Sequence, residues 1–181
     1  MLWAALDAFR QQGYAGLSVA QLEQATGLSA SSLYNAYGNK ACLHRRAVTH
    51  YVEQFIGPRL DRYAGPGATL EDLEQLFVSL LEPPLDDGYG CLLINTATEL
   101  GGRRMLPEVQ AGLQQVSDHL DAVLVRELGD ADDGPALMLM YQGLLVSHRA
   151  GMVSDRHRTA IAREFDRLRR IRDRRRTREG V

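Results

Sequence analysis

Along the first dozen residues, apolar side chains return at three- and four-residue steps: Leu2, Ala5, Leu6 and Phe9. That spacing places them on one side of a helix over Met1 to Gln12, which Gly13 and Gly16 stop. A second helix opens at Ser18, where Ser18 and Gln21 make a capping box. Val19, Leu22 and Ala25 share its inner face. Thr26-Gly27-Leu28 breaks this helix, and Gly27 takes a left-handed turn without steric cost. Ser29 caps a third helix, with Leu33 turned inward. Asn39 is placed to cap a fourth from Lys40, whose buried stripe is Leu43, Ala47, Tyr51 and Phe55. Gly57-Pro58 is expected to weaken or kink it.

Gly65-Pro66-Gly67 is the clearest linker. Thr69 then caps a helix with Leu73, Leu76, Phe77 and Leu80, stopped by Pro83-Pro84. After Asp86-Asp87-Gly88, the segment Tyr89 to Leu100 is almost wholly apolar, as a central buried helix would be, and Gly101-Gly102 ends it. Met105 to Leu128 reads as a long helix, and Pro135 opens another over Ala136 to Val153. The last runs from about Asp155 into an arginine-rich end. No strand pattern competes. The fold class is all-α with about nine helices: a helix-turn-helix head at 1–55, a larger helical body at 56–170, and a basic, flexible tail at 171–181.

The second and third helices with their glycine turn form the helix-turn-helix signature. Ala30, Ser31, Ser32, Tyr34 and Asn35 face outward from the third. Small residues let a helix approach a DNA groove, and hydroxyl and amide groups suit phosphates or base edges. Around this core, Ala5, Phe9, Gly13-Tyr14, Ser18-Val19, Gly27-Leu28-Ser29, Ser32-Leu33-Tyr34, Tyr37-Gly38-Asn39-Lys40 and Leu43 form an ordered series. Residues 4–55 thereby resemble the N-terminal domain of the TetR family of bacterial transcriptional regulators. Two departures stand out. Glu23 occupies a place where the family usually has a small Ala, and the chain begins almost on its first helix, without a basic arm.

The resemblance implies a DNA-binding transcriptional regulator, not an enzyme. It implies a repressor released from a palindromic double-stranded operator when a small-molecule effector binds the body. Ser18, Ser29, Ala30, Ser31, Ser32, Tyr34, Asn35 and Lys40 are the expected DNA-binding residues. Tyr34 and Lys40 would hold phosphate, Ser31, Ser32 and Asn35 are the base-reading candidates, and Tyr37 packs in the core. The last two helices of each family member build a four-helix dimer bundle. Leu137, Tyr141, Leu144, Leu145, Ile161, Phe165 and Leu168 are therefore expected to form a homodimer interface. A dimer without ligand response, and an enzyme that uses the motif structurally, are the competing readings.

Composition changes this picture little. The formal net charge of −2 argues against a DNA binder. Within the head, however, Arg10, Lys40, Arg45 and Arg46 narrowly outnumber Asp7, Glu23 and Glu53. Two cysteines, Cys42 and Cys91, make no disulfide framework and fit a reduced, cytoplasmic setting. No run of about 18 apolar residues marks a membrane span. The histidines lack metal-ligand spacing, and no metal or cofactor is expected. Cys91, Asn95, Thr98 and Glu99 lie on or beside the apolar helix and are the candidate effector pocket. Internal hydrogen bonding explains them equally well. Cys91 near a helix N-terminus suits an electrophile or redox sensor, and equally a buried structural cysteine. Arg167 to Arg178 reads as a solvated or frayed tail, with contact to nucleic acid or a membrane surface as the alternative.

Overall fold

The computed structural model describes residues 1–82, 88–101 and 105–179. Every element among them is helical: α1 (Leu2–Gly16), α2 (Val19–Thr26), α3 (Ala30–Tyr37), α4 (Lys40–Tyr51), α5 (Gly57–Ala64), α6 (Leu70–Ser79), α7 (Leu92–Leu100), α8 (Pro107–Leu128), α9 (Gly134–Arg149) and α10 (Asp155–Glu179). A π-helical turn at Val52–Ile56 joins α4 to α5 without a break, so these elements make nine continuous rods. The fourth helix is thus widened just before Gly57-Pro58 without being ended there. Pro58 lacks an N–H and crowds the carbonyl four residues back, and the widened turn accommodates it. The expected stop at Pro83-Pro84, the acids Asp86-Asp87, Gly102 and the last two residues of the tail lie outside the described residues.

The chain forms two compact units, Met1–Gly57 with Tyr89–Leu113, and Pro58–Gly88 with Gln114–Val181. The head's unit also takes in α7 and the start of α8, which the sequence places in the body.

Polar side chains tie α7 to α1. The Arg10 guanidinium is buried and donates to the Gly90 carbonyl through Nε at 3.0 Å and Nη2 at 2.9 Å. Asn95 Nδ2 donates to the carbonyls of Tyr89 at 2.8 Å and Arg10 at 3.3 Å. Around these bonds Leu6, Phe9, Leu17, Leu22, Leu33, Leu43, Ala47, Leu92 and Leu93 are buried.

In the second unit, α6, α9 and α10 meet through aromatic rings. The Phe77 centroid lies 5.4 Å from that of Phe165 and 6.3 Å from that of Tyr141. The seven residues expected to face a partner, Leu137, Tyr141, Leu144, Leu145, Ile161, Phe165 and Leu168, are instead all buried within the single chain. Their physical role is core: Tyr141 on α9 and Phe165 on α10 pack on Phe77 of α6 in their own unit. The side of α9 left open carries Ala136, Leu139, Gly143, Val146 and Ala150, all exposed and spaced by three and four residues.

The basic tail is also placed differently from expectation. It continues α10 as regular helix to Glu179. Arg172 pairs with Glu127 at 2.8 Å and Glu71 at 3.2 Å, Arg169 pairs with Glu74 at 2.7 Å, and Arg175 donates to the Leu128 carbonyl and pairs with Asp130. A run of like charges lies ordered here because acids on α6, α8 and the loop after α8 neutralise it.

Candidate nucleic-acid interface

Two short helices and a glycine turn present the candidate surface. Ser18 Oγ accepts the Gln21 N–H at 3.2 Å, and Gln21 Oε1 accepts the Ser18 N–H at 2.7 Å. This reciprocal cap starts α2. Gly27 ends it at φ 70°, its N–H donating to the Glu23 carbonyl at 2.9 Å. Ser29 Oγ accepts the Ser32 N–H at 3.2 Å and starts α3. Leu22 and Leu33 are the fully buried anchors of the two helices. Ser31, Ser32 and Asn35 are left exposed on one outer side of α3, with Ala30 and Tyr34 half-buried beside them. The Ser32 hydroxyl lies 3.0 Å from that of Ser29, so Ser31 and Asn35 are the readier groups of the three for a new partner.

Asn39 caps α4 as expected, its Oδ1 accepting the Cys42 N–H at 2.9 Å. Lys40, the first residue of α4, stands over the Tyr14 ring, with Nζ 4.8 Å from the centroid. Tyr14 in turn packs against His44, centroids 5.0 Å apart, and His44 against Phe9 at 4.6 Å. An aromatic column thus holds the ammonium at the edge of the head. His44 is buried, and its Nε2 lies 3.2 Å from Thr96 Oγ1 on α7. Burial lowers its pKa to about 4, with Lys40 acting in the same direction against Glu99 and Glu108, so the ring is neutral at pH 7.

The count of free cations in the head is smaller than the sequence alone implies. Arg10 is spent on Gly90. Arg45 Nη2 pairs with Glu108 at 2.6 Å. Lys40 and Arg46 remain, with Arg46 exposed on α4.

Ser18, Ser29, Ala30, Ser31, Ser32, Tyr34, Asn35 and Lys40 all lie on α2, α3, their caps and the start of α4. Of Cys91, Asn95, Thr98 and Glu99, the last three have polar groups engaged within the chain. Asn95 ties α7 to α1, and Thr98 Oγ1 donates to the carbonyls of Ile94 at 2.9 Å and Asn95 at 3.0 Å. Glu99 accepts the backbone N–H groups of Tyr14 and Ala15 at 2.7 and 2.5 Å. Cys91 is buried, and burial raises its thiol pKa, outweighing the backbone N–H groups of α7 that lower it.

One residue of the site was not expected. Glu23 Oε1 accepts the Ala30 N–H at 2.6 Å. The side chain that departs from the usual small residue therefore caps the next helix. Sequence spacing carries no signal for it, because the two groups are seven residues apart and only the angle between α2 and α3 brings them together.

Comparisons with known proteins agree with this geometry. The family model described as bacterial regulatory proteins, tetR family, matches residues 2–47. Among curated proteins, the chain is 32% identical over 102 residues to the uncharacterized HTH-type transcriptional regulator YezE of Bacillus subtilis, covering 55% of this chain and 52% of that one. It is 30% identical over 99 residues to the HTH-type transcriptional repressor ComR of Escherichia coli, covering 53% and 47%. The chain thus spans about half the length of the curated relatives it matches. Among solved structures, a double cysteine mutant of the TetR family regulator CifR, complexed with 26-base-pair double-strand operator DNA, superposes with a TM-score of 0.73 at 27% identity, over 91% of this chain and 93% of that one. A putative tetR-type regulator from Streptomyces avermitilis shares the fold with a TM-score of 0.77 at 20% identity, over 95% of each chain. Residues 2–47 thus match the N-terminal domain of the tetR family of bacterial regulatory proteins, and the described helices share the fold of solved regulators of that family.

Proposed function

We propose that this protein binds double-stranded operator DNA through α3 and the start of α4 and represses transcription until a small molecule releases it. The observation that carries this is the exposed outer side of α3. Ser31 and Asn35 stand clear there, between a phenol at Tyr34 and an ammonium at Lys40. Hydroxyl and amide groups suit base edges, while phenol and ammonium suit phosphate. The operator bound by CifR and the repressor role named for ComR support the same reading.

The protein acts as a homodimer. The open stripe on α9 supports this: Leu139 and Val146 are 70% and 50% exposed, and a three-four spacing of apolar positions is what a partner helix covers. For the effector, the second unit offers an open groove of about 370 Å³ lined by Ala64, Gly65, Pro66, Asp118, His119, Ala122 and Arg126. Its size is in the range of small-molecule sites, with a few polar groups among apolar walls.

A gel-shift with the promoter of its own gene tests DNA binding. Lys40→Ala should weaken binding to all sequences alike and lower the salt slope by about one per head. Asn35→Ala should instead change preference at one base position per half-site, by roughly 1–3 kcal/mol. If Lys40→Ala leaves both affinity and salt slope unchanged in a folded protein, this docking of the head is wrong.

A further inference from the structure

We infer that Glu23 is a positioning and specificity residue of α3: its carboxylate anchors that helix and repels phosphate from the helix end. The inference rests on the DNA-binding reading above and deepens it. Glu23 serves the turn twice. Its carbonyl accepts the Gly27 N–H at 2.9 Å, and its Oε1 accepts the Ala30 N–H at 2.6 Å. Ser29 satisfies two further donors, taking the Ser32 N–H on Oγ and the Leu33 N–H on its carbonyl at 2.9 Å. The Ala30 and Ser32 N–H groups of the first turn of α3 are therefore supplied with acceptors from within the head.

The electrostatic consequence follows from position. A helix N-terminus ordinarily attracts anions, phosphate included. Here a full negative charge already sits there, beside the exposed Ser31 and Ser32. In helix-turn-helix docking the N-terminal part of the second helix lies deepest in the major groove, with backbone phosphates on either side. Glu23 thus opposes the approach of any duplex. Correct base contacts at Ser31 and Asn35 offset that opposition, and a wrong sequence offers nothing to offset it. Discrimination gains from a repulsive element of this kind as much as from an attractive one.

The test compares Glu23→Gln and Glu23→Ala with the wild-type full chain. Each is titrated by fluorescence anisotropy against a duplex from the promoter of its own gene and a random duplex of equal length, over a salt series. Glu23→Gln keeps an acceptor for Ala30 and loses the charge. It should melt within about two degrees of wild type. It should bind the random duplex about tenfold more tightly, from about threefold per head at a separation of about 6 Å in water. The ratio of promoter to random affinity should fall. Glu23→Ala loses the acceptor as well and should lose promoter affinity.

If Glu23→Gln binds the random duplex no more tightly than wild type, Glu23 is a structural cap only and the inference is overturned. Should Glu23→Gln not fold, Glu23→Asp keeps the charge and should leave random-duplex affinity at the wild-type value; a gain there overturns the inference. A wild-type protein that binds neither duplex overturns the DNA-binding reading itself, a different outcome from an unchanged Glu23→Gln.

Discussion

Glu99 closes the break that Gly13 makes in α1. Gly13 sits at φ 75° and ψ 174°, inside an otherwise helical segment. The kink frees the N–H groups of Tyr14 and Ala15, and both donate to the Glu99 carboxylate. A Cβ on Gly13 would lie 2.8 Å from Glu99 Oε2. The backbone angle requires the glycine, and an added Cβ would also push the Glu99 carboxylate aside.

Substituting either residue should loosen the packing of α7 on α1. Gly13→Ala is expected to cost roughly 2 kcal/mol or more, from the left-handed backbone and the contact with Glu99. Glu99→Ala removes two hydrogen bonds to a carboxylate at an exposed site and should cost about 1 kcal/mol. Urea unfolding of both variants measures this. An unchanged midpoint for Glu99→Ala would show that water serves those donors equally well.

His44 gives the head a defined response to acid. Its folded pKa of about 4 lies below the ordinary 6.5, so the unfolded chain takes up the proton first. Its contribution to stability is fully present above about pH 6.5 and is lost as pH falls from there toward 4. The whole shift corresponds to about 3 kcal/mol. Unfolding free energies at pH 7.5 and 5 should differ accordingly, and a folded His44→Gln variant should flatten the difference over that window.

The two cysteines should react in a fixed order. Cys42 is exposed and Cys91 is buried, with its thiol made less acidic by that burial. A mild alkylating reagent at neutral pH should label Cys42 in the native protein and reach Cys91 only after denaturant is added. Mass spectrometry of the digested protein reads both sites. Native labelling of Cys91 would revive its candidacy as an electrophile sensor.

Charge substitutions should separate association from folding. Leu139→Glu and Val146→Glu fall on the open stripe of α9 and should give a folded monomer by light scattering and circular dichroism. Phe165→Glu buries a charge against Phe77 and should unfold the second unit. A wild-type mass equal to one chain at every concentration would remove the dimer.

The helix-turn-helix was legible from sequence because its signals are local. Ser18 with Gln21, Gly27, Ser29 and Asn39 each act on backbone within three or four residues, and each does so here. Helix count was legible for the same reason, since apolar periodicity and caps are short-range. The direction in which α9 turns was not. It carries apolar residues on nearly every side, so periodicity could not say that Leu137, Tyr141, Leu144 and Leu145 go inward while Leu139 and Val146 stay out.

The fates of the polar groups were equally out of reach. Glu99, Glu23 and Arg172 find partners 85, 7 and 45 or more residues away. A carboxylate's intrinsic chemistry is the same whether it lines a pocket, caps a helix or pairs with arginine. Sequence by itself determined the all-helical head and the outward-facing hydroxyl and amide groups of α3, because local backbone and periodicity suffice for them. Only tertiary structure decided which charges remain free, which apolar side chains are core, and which helix ends are already capped, because those depend on where distant elements pack.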